Sequence, residues 1–363
     1  MNKTKVFFLL FSMNVGGVER SLLGLISTLD PEKYDIHVGL LRKQGGFLQM
    51  LPEYVTVHEC FRGVWSVVNQ PPLTTIKTLL VQGRIIEAVV HLYCYAIFKI
   101  TGDRTLFYKY VLRNESTINI YFDEAYAYAG PASMLDFYIC RKIRANKRFG
   151  WIHFDILKNG LDEVMTRRFY REYEKIYVVS EQAKRNFDLV FPQFAEKTKV
   201  RYNIVPVEQV RRLAAEAPTF DDDFNGIRIL TVGRLSDEKG QDITIETLKI
   251  LVDKGFNVKW YYVGDGKLRS TCERMAVEYD LTDRVVFLGT LPNPYGYMRD
   301  CDVYVQPSRH EGYCITLAEA RCFTAPIVAT AFTGAEEQLA AYPGSTVTGM
   351  SAADIAEGVM KFL

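Results

Sequence analysis

The chain has 363 residues, and its 44 Lys and Arg against 43 Asp and Glu give a formal net charge of +1. Apolar residues make up 48% and charged residues 24%, which excludes a disordered or collagen-like chain. The near-neutral charge argues against an electrostatic binder of nucleic acid, because such proteins usually carry a strong basic excess. At roughly 100–200 residues per domain, this length predicts two domains.

The seven cysteines are odd in number and scattered, and no two of them form a CxxC pair. This spacing lacks the signature of a zinc ribbon or a thioredoxin-type site and predicts free thiols in a reducing cytoplasm. No metal-ligand cluster stands out among the five histidines, so no metal is expected.

Short β-rich runs alternate with amphipathic helical stretches along the chain, which is typical of a parallel α/β architecture. The first apolar run, residues 6–11, follows two lysines and imitates a signal peptide. Its shortness and the Gly-Gly pair that follows favour a buried first strand, at residues 5–11. Further elements of the first half are predicted as a helix at 18–29 and strands at 35–41, 118–122, 148–153, 175–179 and 199–202.

Residues 204–226 contain two prolines, an acidic run and an Asn-Gly pair, which predicts an interdomain linker. We therefore expect domains at 1–206 and 207–363. After the linker the pattern restarts, with strands predicted at 228–232, 257–263, 285–288, 303–306 and 326–329 and helices at 242–253, 267–279, 316–323 and 352–362. Two Rossmann-like halves follow, each expected to bind ligands at the carboxyl ends of its strands.

Two segments of the first half bear on membranes. Residues 88–98 are uncharged and lie within an apolar stretch, 76–100, that is too short for the ~20 residues of a transmembrane helix. A buried helix pair is the simpler interpretation, and a surface that touches lipid is the alternative. The basic residues at 141–148 are expected either to bind anionic headgroups or to lie on a solvated helix face.

Loops at three predicted strand ends carry candidate chemistry. Gly16 and Gly17 let the backbone approach a ligand at a helix N-terminus, or they form only a tight turn. Arg234 and Lys239 lie five residues apart on the second loop and can converge on one anion. The alternative is that Lys239 only forms a surface ion pair with Asp237.

The third loop carries Glu311, and Glu319 follows eight residues later in the next predicted helix. A carboxylate can accept from two neighbouring hydroxyls of a sugar or a ribose. Thr316 and Glu319 also have the spacing of a capping box, in which case Glu319 only satisfies the helix terminus. The spacing alone does not separate these interpretations.

Taken in order, these motifs resemble a known family. Gly233-Arg234 with Lys239-Gly240, Gly264-Asp265-Gly266, the E-x7-E pair and residues 326–337 resemble the donor domain of retaining glycosyltransferases of family four. In the first half, residues 16–19, 151–155, 179–181 and 200–203 extend the resemblance to nearly the whole chain. It implies a GT-B fold, with two Rossmann-like parallel-sheet domains facing an interdomain cleft, the first for the acceptor and the second for the donor.

The resemblance also implies roles. Arg234 and Lys239 would hold the donor diphosphate, Glu319 the ribose and Glu311 the donor sugar, while His153 would hydrogen-bond the sugar near the reacting centre. The residues implied for the donor site or for catalysis are Gly16, Gly17, His153, Arg234, Lys239, Gly264, Glu311, Gly312 and Glu319. Such enzymes need no metal. Family members often have Gly or Pro where Cys314 stands, which leaves the donor sugar open.

The implied function is metal-independent, retaining transfer of a hexosyl-type sugar from a nucleotide-diphosphate donor, with a UDP-sugar favoured. The implied acceptor is lipid-linked or a glycan, in bacterial envelope polysaccharide or capsule synthesis, with the protein in the cytoplasm or peripheral at the inner membrane surface. The alternatives are a nucleotide-sugar epimerase of the same fold and a non-catalytic partner that binds sugar nucleotides.

Overall fold

The computed structural model describes residues 3–61, 71–113, 115, 118–130, 133–159 and 162–363. The chain divides into two compact units. The first unit contains residues 1–178 and 184–201, and the second contains residues 179–183 and 202–363.

A wholly parallel seven-stranded sheet forms the centre of the first unit, in the order β3-β2-β1-β4-β5-β6-β7. Its strands are β1 (Thr4–Leu10), β2 (Tyr34–Leu40), β3 (Thr56–Glu59), β4 (Tyr121–Gly130), β5 (Arg144–Ile152), β6 (Lys175–Val178) and β7 (Thr198–Val200). The described helices of this unit are α1 (Gly17–Ile26), α2 (Pro72–Val81), α3 (Ile85–Thr101), α4 (Thr105–Val111), α5 (Ser133–Arg141), α6 (Ile156–Asn159), α7 (Glu163–Tyr170) and α8 (Glu181–Val190), which begins at the boundary of the unit. The last five residues of β1 are buried, so the strand reads as a continuous apolar run and confirms the predicted first strand.

A six-stranded parallel sheet forms the centre of the second unit, in the order β10-β9-β8-β11-β12-β13. Its strands are β8 (Ile227–Val232), β9 (Val258–Val263), β10 (Val285–Gly289), β11 (Val303–Gln306), β12 (Ile327–Thr330) and β13 (Ser345–Thr348). Its helices are α9 (Val207–Glu216), α10 (Gln241–Asp253), α11 (Arg269–Glu278), α12 (Tyr295–Asp300), α13 (Ile315–Ala320), α14 (Ala335–Leu339) and α15 (Ala352–Met360). Both sheets therefore share the Rossmann-type strand order, as predicted.

Two sequence predictions are corrected. The strand expected at 118–122 instead runs over Tyr121–Gly130. The acidic residues near its start interrupt the apolar pattern by which a strand is predicted. One of them, Asp123, accepts a hydrogen bond from the backbone N–H of Lys5 at 2.8 Å.

The expected linker at 204–226 contains the helix α9. Val210 and Ala214 of α9 are buried in the core of the second unit, so this segment is part of the unit and not a tether. The acidic run that follows is also structural. Asp222 lies 2.9 Å from the guanidinium of Arg228 and accepts a hydrogen bond from the hydroxyl of Tyr261 at 2.5 Å.

Candidate functional site

The candidate site of the second unit lies where the strand order of its sheet reverses. β8 and β11 are neighbours in the sheet but are not consecutive in the chain. The loop after β8 (residues 233–240) and the loop after β11 (residues 307–314) therefore leave from the same edge. In open α/β sheets this switch point is where ligands bind.

Lys239 and Glu311 connect these two loops through a mostly buried ion pair. Lys239 Nζ donates to Glu311 Oε1 at 2.5 Å, and the two side chains are only 19% and 12% exposed. Burial by itself lowers the pKa of the Lys239 ammonium, but the groups around it, first among them the carboxylate of Glu311, together more than offset this, so the net pKa is raised. Lys239 therefore keeps its charge at neutral pH.

The alternative pairing of Lys239 with Asp237 is wrong. Asp237 instead accepts from the ammonium of Lys267, and both of these side chains are exposed. Asp237 and Lys239 lie on one short 3₁₀ turn, Asp237–Lys239, and their side chains take different partners.

Arg234 is the second cation of the loop after β8, and its side chain is 67% exposed. Its nearest carboxylate, on Glu238, lies at 3.9 Å, which is a weak contact for an exposed pair. The backbone beneath Arg234 is fixed by the buried Gln241, which donates to the Arg234 carbonyl at 2.9 Å and accepts from the N–H of Ser236 at 3.3 Å. Arg234 thus presents a solvated guanidinium on a loop whose backbone is fixed by hydrogen bonds.

Glycine is required at two close contacts of the loop after β8, one with the loop after β11 and one with the loop after β9. Gly240 has a φ of +68°, and a Cβ on it would lie 2.2 Å from the carbonyl oxygen of Pro307. Gly264, at the end of β9, has a φ of +141°, and its Cβ would lie 1.9 Å from the carbonyl oxygen of Gly233. At both positions a neighbouring loop lies in contact with the glycine backbone, and any larger residue would clash with that loop.

A chain of buried polar side chains orients Glu311. Ser308 donates to Glu311 Oε1 at 2.7 Å and accepts from Gln306 Nε2 at 2.9 Å. Gln306 in turn accepts from Thr316 at 3.0 Å and from Tyr304 at 2.8 Å. Both hydrogen bonds to Glu311 end on Oε1, and none from a described residue ends on Oε2, so Oε2 is directed to a ligand or to solvent.

Gln306 and Ser308 are candidate site residues that sequence reasoning missed. Both are fully buried, and a buried polar group needs a partner. The available signal was the glutamine that closes an otherwise apolar strand, with the sequence Val-Tyr-Val-Gln. Gly312, next to Glu311, is buried in the same loop.

Glu319 does not cap its helix, so the capping-box interpretation is wrong. α13 begins after Cys314, and Thr316 lies inside the helix, where it bonds to Gln306. The carboxylate of Glu319 is 4% exposed and accepts from the hydroxyl of Tyr295 at 2.5 Å. The buried tyrosine fixes one oxygen of Glu319.

Cys314 holds an unusual backbone conformation at the start of α13. Its φ of +33° lies in the left-handed region, which a side chain makes unfavourable. Burial raises the pKa of its thiol to about 12, so it is neutral. A glycine would adopt this conformation without strain.

In the first unit, Gly16 and Gly17 stand at the N-terminus of α1. Gly16 is the extended N-cap residue and makes no side-chain cap, and Gly17 is the first helical residue. Gly17 is exposed, and no atom lies within 4 Å of where its Cβ would be. A Cβ on Gly16 would lie 2.5 Å from Oε2 of Glu19, so a carboxylate stands beside this helix start, and an anionic ligand there requires that side chain to move.

His153 follows β5 and stacks on Trp151, with ring planes 9° apart and centroids 5.8 Å apart. Neither ring nitrogen has a hydrogen-bond partner of normal geometry among the described residues, although both are buried. Burial lowers the pKa of His153 to about 3, with a smaller opposing contribution from the backbone of Tyr128. His153 is therefore a neutral imidazole with unused hydrogen-bonding capacity at physiological pH.

The structure brings together five of the predicted residues, Arg234, Lys239, Gly264, Glu311 and Gly312, on the switch-point loops and the neighbouring loop after β9, and it places Glu319 on the helix that follows. In the first unit, Gly16 and His153 lie on the loops after β1 and β5, and Gly17 is the first residue of α1.

Comparisons with known proteins find similarity to one family over less than half of the chain. Residues 221–363 match the family model of glycosyl transferases group 1. Over 161 residues the chain is 28% identical to the N-acetylgalactosamine-N,N'-diacetylbacillosaminyl-diphospho-undecaprenol 4-alpha-N-acetylgalactosaminyltransferase of Campylobacter jejuni, covering 44% of this chain and 42% of that protein. Over 106 residues it is 30% identical to the capsular polysaccharide biosynthesis glycosyltransferase CapM of Staphylococcus aureus, covering 29% of this chain and 28% of that one.

The matched segments span only 26–42% of the length of the first curated relatives. The fold likeness extends further. The crystal structure of Anabaena HepE in complex with UDP superposes with a TM-score of 0.65 at 20% identity, covering 99% of this chain and 89% of that chain. Together with the two parallel sheets, this likeness confirms the predicted GT-B class of fold.

Proposed function

We propose that this protein is a glycosyltransferase that moves a sugar from a nucleotide-diphosphate donor, favoured to be a UDP-sugar, to a lipid-linked or glycan acceptor. The observation that carries this proposal is the buried ion pair of Lys239 and Glu311 at the switch point of the second sheet. Together with the exposed Arg234, it sets two cations and one oriented carboxylate at the place where α/β sheets bind ligands.

Each group has a distinct task in donor binding. An ammonium has three N–H donors, and Lys239 spends one on Glu311, so two remain for the diphosphate. Arg234 adds a planar fork suited to phosphate oxygens. Glu319, with one oxygen held by Tyr295, is proposed to accept from ribose hydroxyls.

The same cations serve the chemical step. The bond between the anomeric carbon and the diphosphate oxygen breaks, and negative charge grows on the leaving nucleotide. The acceptor oxygen forms the new bond to the anomeric carbon, and its proton passes to the departing diphosphate. Preorganised donors aimed at that developing charge contribute much of catalysis. Because Arg234 and Lys239 supply positive charge there, we propose that no metal is needed, and chelation with EDTA is expected to leave turnover unchanged.

Glu311 and His153 are proposed to contact the transferred sugar. Glu311 Oε2 accepts from sugar hydroxyls while Oε1 stays held by Lys239 and Ser308. The neutral imidazole of His153 bonds the sugar near the reacting carbon, and Gly16 and Gly17 offer backbone N–H groups to the diphosphate or the acceptor. Retention of the anomeric configuration is part of the proposal and rests on the resemblance of these motifs.

The acceptor and the setting are proposed from the relatives. The C. jejuni relative is named for an undecaprenol-linked acceptor, and CapM for capsular polysaccharide synthesis. We accordingly propose a role in bacterial envelope polysaccharide synthesis, at the cytoplasmic face of the membrane. HepE was crystallised with UDP, which supports uridine as the base.

A thermal-shift screen against UDP, GDP and a panel of nucleotide sugars tests the proposal. A ligand at 100 times its Kd stabilises the protein by about 2.7 kcal/mol. Transfer or donor hydrolysis by the purified chain excludes a non-catalytic partner, and a free epimerised sugar without acceptor would indicate an epimerase. If none of the nucleotides raises the melting temperature, the proposal is overturned.

Variants locate the activity. Arg234→Ala and Lys239→Ala are each expected to lower kcat by about 10²–10³-fold at saturating donor, as the loss of one charge-stabilising donor does. Lys267→Ala is the matched control, because Lys267 is a cation near these loops that pairs with Asp237. Near-wild-type turnover in Arg234→Ala and Lys239→Ala would contradict the assignment.

A further inference from the structure

The helical segment 71–113 of the first unit presents an apolar surface to solvent. α2 and α3 pack against each other and are joined by a three-residue turn, which makes them a helical hairpin. α3 buries one side through Ala88, His91 and Cys94. The interpretation as a buried core pair therefore holds for one side of α3 and is wrong for the other.

That other side is exposed and carries no charge. At 100° per residue, positions 85, 86, 89, 92, 93, 96 and 100 fall in one arc of about 120°, and none of them is charged. Ile86 and Ile100 are each 81% exposed, and Val81 at the end of α2 is 82% exposed. We call the exposed large apolar residues of the two helices the hairpin surface: Leu73, Leu80, Val81, Ile85, Ile86, Val89, Leu92, Tyr93 and Ile100.

Exposed large apolar residues are more frequent on the hairpin than on the rest of the described surface. Of the 22 exposed large apolar residues in the described chain, ten lie in the 43 residues from 71 to 113. Single exposed apolar side chains are common, but a contiguous group of this kind marks an interaction site.

Charge identifies the occupant. Residues 71–113 contain six basic and two acidic residues, and both acids are already paired, Glu87 with Arg84 at 2.7 Å and Asp103 with Arg168. Four of the basic residues are exposed and have no ion pair with a described carboxylate: Lys77, Lys99, Lys109 and Arg113. A second copy of this surface would bring like charges together, whereas an anionic lipid surface complements them.

At least two of the five basic residues at 141–148 already bond within the protein, and the expectation that this cluster binds anionic headgroups stays a prediction. Arg141 forms a bidentate pair with Glu172 at 2.6 and 2.7 Å, and Arg148 donates to the carbonyls of Ile139 and Ile143. These guanidinium groups are committed to the protein.

We propose that the hairpin surface docks the protein onto an anionic bilayer, with the axis of α3 in the plane of the headgroups. None of the described helices is long and apolar enough to span a bilayer. A helix with one apolar face and flanking lysines lies at the interface, where tyrosines such as Tyr93 are also favourable. This proposal is independent of the donor chemistry, because vesicle binding needs no nucleotide.

Vesicle co-sedimentation of the full chain tests the proposal, using phosphatidylethanolamine and phosphatidylglycerol in equal amounts against pure phosphatidylcholine. Ile86→Glu/Val89→Glu is expected to lower binding to the anionic vesicles about tenfold or more, since two exposed apolar contacts are lost. Leu189→Glu on α8 is the matched control, because Leu189 is an exposed apolar residue of the same unit and is 74% exposed. It is expected to bind like the wild type.

A second pair of variants keeps the test independent of folding. Lys77→Gln and Lys99→Gln are each expected to weaken binding to anionic vesicles about fivefold and to leave binding to neutral vesicles unchanged. The proposal is overturned if the wild type does not bind anionic vesicles, or if Ile86→Glu/Val89→Glu binds them as well as Leu189→Glu does. It is also overturned if light scattering shows a wild-type dimer that this double variant dissociates, because the occupant is then a second copy.

Discussion

The ion pair of Lys239 and Glu311 makes a quantitative prediction about stability. Because both side chains are more than four-fifths buried, removing one partner leaves the other charge buried and unpaired. Such losses cost about 3–5 kcal/mol. Ser308 still bonds Glu311 after Lys239→Met, so we expect the lower end, about 3 kcal/mol, and a similar cost for Glu311→Gln.

The double variant separates pairing from simple packing. Lys239→Met/Glu311→Gln leaves no unpaired charge, so its loss should fall at least about 2 kcal/mol below the sum of the two single losses. The exposed pair of Lys267 and Asp237 is the matched control. In its own cycle, the losses of Lys267→Met and Asp237→Asn should simply add, because water already solvates both charges.

Urea denaturation monitored by tryptophan fluorescence measures these free energies. Trp260 is fully buried in the second unit, so replacing Trp65 and Trp151 by phenylalanine makes the signal report on that unit alone. If the losses of Lys239→Met and Glu311→Gln add within about 0.5 kcal/mol, the pair is not coupled and the reasoning is refuted.

Three further predictions concern pH and the backbone. In the folded protein the pKa of His153 is about 3, below its ordinary value of 6.5. Burial of the neutral imidazole therefore contributes its full stability above pH 6.5, and this contribution is lost as the pH falls below 6.5. Between pH 7 and 5 the free energy of unfolding should fall by about 2 kcal/mol from this group, and His153→Gln should remove that part of the slope in urea titrations. Asp280 has a φ of +58° and lies two residues after the end of α11. Asp280→Gly should raise the free energy of unfolding by about 1 kcal/mol; a decrease would contradict the strain argument. Gly240→Ala should cost at least about 2 kcal/mol, because its Cβ would clash with Pro307, whereas Gly255→Ala, also at positive φ but with open space around it, should cost about 1 kcal/mol. Equal losses in these two glycine variants would show that the contact between the loops is unimportant.

The parallel sheets were predictable from the sequence because their inner strands are apolar on both faces. β1 and β11 are such strands, and both were found within a residue of their ends. The edge strands β3 and β13 were missed, since they are short and only half-buried and so carry a weak apolar pattern. α9 was missed because prolines on either side of it suggested a linker.

The site was only partly predictable. The strand-end loops with Arg234, Lys239 and Glu311 followed from the alternation of strands and helices. The partner of Lys239 could not be predicted, because Glu311 lies 72 residues away along the chain and carboxylates nearer in sequence were equally plausible partners. The chain from Gln306 to Ser308 depends on side-chain rotamers that no sequence spacing specifies.

The central claim is that Arg234 and Lys239 bind the diphosphate of a nucleotide. Calorimetric titration of UDP into the wild type, Arg234→Ala and Lys267→Ala tests it most directly, since the side chain of Arg234 is exposed and we expect its removal to leave the fold unchanged. We expect Arg234→Ala to weaken UDP binding by about tenfold or more, as the loss of a charge-assisted hydrogen bond predicts, and Lys267→Ala to bind like the wild type. Equal Kd values for all three proteins, or no binding of UDP to the wild type, would contradict the claim.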